Sequence, residues 1–222
     1  MKLLPDSIKQ FIVNRLLEIS GITTILLSIF ILISVASYSS FDPSILNLNN
    51  YEVKNIGGYL GANVSEILIQ FFGYGSILIC IILISWAYKL FFSKNLELFA
   101  LNFLLLPITV YLLALFFEAI GLSFSSGFLA YQTLIFVNEA NIITNNYINY
   151  SFVTLIFILF LVSFYFTMGL KLNEWNSFFK IVWRFIKISF LFIKKFFQLI
   201  KSYFLREPTH RVAYERTVEN KN

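Results

Sequence analysis

Residues 19–38, 67–88, 98–117 and 151–170 contain no Asp, Glu, Lys, Arg or His. A helix rises about 1.5 Å per residue, so about 20 apolar residues cross a hydrocarbon layer of roughly 30 Å. In lipid a segment must satisfy its own backbone hydrogen bonds, which a helix does. The four windows therefore predict four transmembrane helices in an all-α integral membrane protein, with a membrane domain over residues 19–170. Composition agrees: 13% of the 222 residues are charged and 58% are hydrophobic, where a soluble domain carries about a quarter charged. The first window is long enough to span and has no small-residue cleavage motif behind it, so it reads as a retained helix rather than a signal peptide. A further apolar run, residues 127–137, is only half a bilayer long and predicts a re-entrant or surface-lying helix.

Sixteen of the seventeen basic residues fall on one side of a four-helix arrangement. Lys2, Lys9 and Arg15 lie in the segment 1–18, Lys89 and Lys94 follow the second window, and eleven more follow from Lys171 onward. The remaining one, Lys54, sits in the first connector, and the connector 118–150 has none. The positive-inside rule makes the basic side cytoplasmic, so both termini are expected in the cytoplasm. The connector "SYSSFDPSILNLNNYEVKNIGGYLGANVSE", residues 37–66, then faces outward, into the periplasm of a cell with two membranes.

Ionisable residues at membrane depth point to transport or gating, and the four windows have none. Glu66 and Glu118 stand at helix ends, where a solvated carboxylate is expected. Pro107 withdraws a hydrogen bond from the third helix and is expected to serve packing. Gly73 and Gly75 allow close helix contact, whereas Gly57 and Gly61 read as turn residues of the connector. Cys80 lies in an apolar run, and His210 in the polar tail is expected to be solvated. No phosphate-binding loop and no metal-ligating His/Glu pattern is present, so no catalytic, cofactor or metal role is expected of these residues.

Beyond the fourth window, Lys180, Arg184, Lys187, Lys194 and Lys201 recur at spacings of four and three, with Leu191 and Gln198 in the intervening places. On a helix over residues 171–205 this makes one basic stripe, with Phe, Ile and Trp on the remaining surface. Such a juxtamembrane helix suits an anionic membrane surface. Nucleic-acid binding, or packing of the apolar face on a partner subunit, are the competing readings. From residue 206 the apolar periodicity stops, and 206–222 reads as a flexible tail or the start of a linker.

The order of short motifs in the first connector adds a resemblance. "SYSSFDPS", then "NIGGYLGANVSE", then "FFGYGS" opening the second helix, together resemble the four-helix membrane domain of the FtsK/SpoIIIE DNA translocases. The likeness rests on Asp42, Pro43, Asn55, Gly57, Gly58, Gly61 and Gly73, with Ser37, Tyr38, Ser39, Ser44, Ala62 and Phe72 around them, and covers about residues 15–172. The connector between the third and fourth helices departs from the family in being poorer in glycine. The resemblance implies an anchor in the bacterial inner membrane at the division septum. It also implies a homo-oligomer and contacts with other division proteins. DNA and ATP would be engaged only through a motor whose motifs are not among these residues. A channel or transporter subunit, and a stand-alone envelope accessory protein, are the alternative functions.

Overall fold

The computed structural model describes residues 5–94, 99–122, 126–140, 142 and 146–204. Among them every regular element is helical: α1 (Asp6–Ala36), α2 (Gly58–Phe72), a 3-10 turn (Gly73–Ser76), α3 (Ile77–Phe92), α4 (Phe99–Ala119), α5 (Gly127–Glu139), α6 (Asn146–Met168) and α7 (Leu172–Phe204). Four candidate spans are long and apolar enough to cross a membrane: Ser7–Ala36, Gly58–Phe92, Phe99–Ala119 and Tyr147–Met168. The second is built from α2 and α3, joined through the 3-10 turn. Pro107 lies inside α4, which continues past it.

The chain divides into two compact units after Lys171. In the first, α1 packs chiefly along α3 and α4 chiefly along α6, while α5 rests on α4 and α2. Most large aliphatic side chains on the long helices are exposed, which is the surface that lipid would cover. The helices are held to one another by small and polar residues, as expected where lipid removes the usual hydrophobic drive for helix association. Ser28 Oγ donates to Cys80 O at 3.0 Å between α1 and α3. Thr109 on α4 shares hydrogen bonds of 2.6 Å with Ser163 and Thr167 on α6. Ala114, Leu115, Ala130 and Ile156 close the core between α4, α5 and α6.

One end of α3 grips the end of α6. The last carbonyls of a helix have no partner within it. Here Trp86 Nε1 donates to Thr167 O at 2.8 Å, Ser85 Oγ to Met168 O at 2.7 Å, and Lys89 Nζ to Gly169 O. Positions 85, 86 and 89 fall on one face of α3, so a single helix surface satisfies three consecutive carbonyls. Lys89 is also a cation at the negative end of the α6 dipole. The sequence places Lys89 in a loop after the second span. In the structure it is buried in the last turn of α3.

The second unit contains α7, one helix over Leu172–Phe204. Lys180, Arg184, Lys187 and Lys194 are exposed along it, and Lys187 lies over the Trp183 ring at 5.6 Å. Lys201 falls in its last turn. Phe179, Trp183, Ile186, Phe190, Ile193 and Phe197 form a second stripe with the same four-and-three spacing, also exposed. The tail 206–222 lies outside the described residues.

Candidate functional site

The connector between α1 and α2 is where the motif residues gather. Asp42 is 2% exposed. Its two carboxylate oxygens accept from the backbone N–H groups of Lys54 and Asn55, at 3.0 and 2.8 Å. A carboxylate can be buried at this position because both its oxygens are paired. Pro43 leads into a turn closed by paired backbone bonds between Ser44 and Asn47. Asn47 Nδ2 donates back to Ser40 O at 2.7 Å, and Asn49 Nδ2 to Phe41 O at 3.0 Å. The excess of asparagine in this stretch therefore has a structural reason: the amides tie irregular backbone to itself.

Asn55 is the centre of the knot. Its Nδ2 donates to Ser34 O at 2.8 Å, Ser37 O at 3.3 Å and Ser65 Oγ at 3.2 Å. Its Oδ1 accepts from Gly57 N at 2.9 Å. One side chain thus binds the end of α1, the middle of α2 and its own turn. Ser37 Oγ accepts in addition from Ile56 N at 3.0 Å. Asn63 on α2 accepts from Ile45 N at 2.7 Å and donates to Tyr59 O at 2.7 Å, which pins the first half of the connector to α2.

The glycines make room for this side chain. A Cβ at Gly61 would collide with Asn55 Oδ1 and stand 3.0 Å from Ser34 Oγ; one at Gly57 would stand 2.8 Å from Ser34 Oγ. Both serve the close approach of α2 to α1. Gly57 lies in the turn expected of it, and the structure departs from the expectation only at Gly61. Gly57 caps α2 and Gly61 lies inside it, since the helix starts at Gly58 and not near residue 67. The polar residues Asn63, Ser65 and Glu66 obscure that earlier start in the sequence, but each turns inward to a buried place. Gly58 begins α2 with φ +64°, and Gly73 ends it with φ +63°.

The two boundary glutamates are also corrected. Glu66 and Glu118 are buried, at 4% and 6% exposure, and not solvated. Glu66 accepts from Gln70 Nε2, and Glu118 from Ser126 Oγ. Tyr38, just beyond the end of α1, has its phenol pushed up to about 12, first by burial and then by the negative charge of Glu66 beside it. Ser34, Ser65 and Asn63 are members of the knot that sequence reasoning missed. The signal was present: Ser34 and Ser37 recur one helical turn apart where the apolar helix ends. The five cations lie along α7, in the second unit.

The arrangement is a rigid, hydrogen-bonded cap, and its chemistry is that of a scaffold. Its outer surface carries apolar tips. Leu48 is 90% exposed, and Phe41, Ile45, Tyr51 and Ile56 of the same connector are exposed too. Phe41, Tyr51, Glu52 and Lys54 line a shallow depression there.

Comparison with known proteins bears on this cap and the helices that carry it. The family described as the 4TM region of DNA translocase FtsK/SpoIIIE matches residues 13–182. A DNA translocase FtsK from Bradyrhizobium diazoefficiens is 28% identical over 87 residues, 39% of this chain and 10% of the relative. One from Azospirillum brasilense is 25% identical over 89 residues, 39% of this chain and 14% of that protein. One from Mesorhizobium japonicum is 33% identical over 64 residues, 29% and 7% of the respective chains. The matches thus cover only a small part of each relative. No solved structure matches the chain.

Proposed function

The chain belongs to the 4TM-region family of the FtsK/SpoIIIE DNA translocases, and from that premise we propose that it anchors an FtsK-type translocase at the division septum. The observation that carries the reading is the family match over residues 13–182, and the cap supports it. Asp42, Asn55, Gly57 and Gly61, four of the family-like residues, meet in the cap. The protein is a multi-pass membrane protein with a non-catalytic 4TM region. On the proposed reading it sits in the inner membrane with both termini in the cytoplasm, and the cap faces the periplasm. DNA and ATP are engaged by a motor to which these residues contribute nothing directly. No cofactor is assigned to them.

On this reading the cap presents Phe41, Leu48 and Ile56 to other division proteins, and the anchor assembles as a homo-oligomer. The exposed cationic and aromatic stripes of α7 suit an anionic leaflet, where each basic residue contributes about 1 kcal/mol. A fluorescent fusion of the chain tests the reading. It is expected to gather at midcell before constriction. Uniform membrane label throughout the cell cycle would contradict it. Leu48→Asp is expected to disperse the label without lowering the amount of folded protein, because the side chain touches little else.

A further inference from the structure

At the end of the first unit opposite the cap, a cavity of about 180 Å³ opens between α3, α4 and the end of α6. Lys89, Leu101, Asn102, Phe166 and Gly169 are among its walls. That is far more room than the ~10–15 Å³ one water needs. Two of the walls are buried donors without adequate acceptors. Asn102 is 3% exposed, and its Nδ2 has no hydrogen-bond partner. Lys89 is equally buried, and Gly169 O, the partner the structure gives it, is neutral. The α6 dipole offers only about half a negative charge there. A full ammonium charge is therefore incompletely compensated, and two of its three N–H groups remain for another acceptor. Buried donors of this kind are costly unless paired.

We propose that this cavity binds a phosphate oxyanion, supplied by the headgroup of an acidic phospholipid. A phosphodiester carries the charge that Lys89 lacks and oxygens enough to accept from both Lys89 Nζ and Asn102 Nδ2. Its acyl chains would run along Leu101, Leu104 and Phe166, which are exposed on the lipid-facing side of α4 and α6. Lys89 then has two tasks: capping α6 and fixing a lipid in the angle between α4 and α6. The site is independent of the anchor reading and of the α7 stripe.

The test is native mass spectrometry of the full chain in neutral detergent. Lys180, Arg184, Lys187, Lys194 and Lys201 are all changed to Gln, so that α7 does not mask the site. Phosphatidylglycerol is expected to bind in preference to phosphatidylcholine with the same chains. Asn102→Leu, which leaves the Lys89–Gly169 bond in place, is expected to weaken that binding about tenfold, the effect of one charge-assisted hydrogen bond. It should also unfold no earlier than the parent without lipid, since it removes an orphaned donor. Lys89→Gln should abolish the preference between the two lipids. Added inorganic phosphate distinguishes the source: failure to displace the lipid supports a headgroup site, and displacement at millimolar concentration overturns the lipid assignment in favour of free phosphate. Equal binding of the two lipids, or unchanged phosphatidylglycerol affinity in Asn102→Leu, would overturn the proposal.

Discussion

The two ends of the membrane unit are both tied by polar side chains, but in different ways. At the cap, the bonds of Asn55 and Asp42 join residues 2 to 21 apart in the chain. At the opposite end, Ser85, Trp86 and Lys89 reach backbone carbonyls 80 to 83 residues away. The cap shapes one connector and sets how α1 meets α2. The grip on α6 joins the α1–α3 pair to the α4–α6 pair. The first is a local device that can form as soon as its own segment is in place. The second depends on all four long helices having assembled.

Predictions follow from this contrast in order of size. Gly61→Val is expected to have the largest effect. Its side chain occupies the place of Asn55 Oδ1, so overpacking, typically about 1–3 kcal/mol, is added to the loss of the Asn55 bonds. Thermal unfolding in detergent followed by circular dichroism should show a clearly lowered midpoint, and cysteine accessibility at Ser65→Cys should rise. Asn55→Ala comes next. It keeps the helix spacing but strands Gly57 N and the carbonyls of Ser34 and Ser37, and an unsatisfied buried group costs about 1–3 kcal/mol. Trp86→Phe is expected to be smaller, about 1 kcal/mol, because Ser85 and Lys89 still hold the neighbouring carbonyls. Its effect should appear as faster exchange of amides at the end of α6, with the cap unchanged. An equal response of the cap to Trp86→Phe would erase the distinction between a local and a long-range tie.

The same contrast explains what could be read from the sequence. The four spans were legible because lipid demands long uncharged windows. Asp42, Asn55 and Gly61 were legible as a motif, yet their roles were not. Gly61 looked like a turn glycine because nothing in the sequence shows that Ser34, 27 residues earlier, packs against it. Glu66 and Glu118 looked solvated because their partners, Gln70 and Ser126, are ordinary polar residues that a neutral composition hides. The grip of α3 on α6 was out of reach. Its acceptors are backbone carbonyls, which leave no mark on side-chain pattern, and its donors are separated from them by two other helices.

The proposed topology has the chain crossing the membrane four times, with the cap outside and the cationic flank inside. Single-cysteine variants in a Cys80→Ser background test it directly, with a membrane-impermeant maleimide applied to intact spheroplasts. Leu48→Cys is expected to be labelled at once, and Asn176→Cys only after the membrane is permeabilised. Labelling of Asn176→Cys from outside, or protection of Leu48→Cys until permeabilisation, would contradict the account.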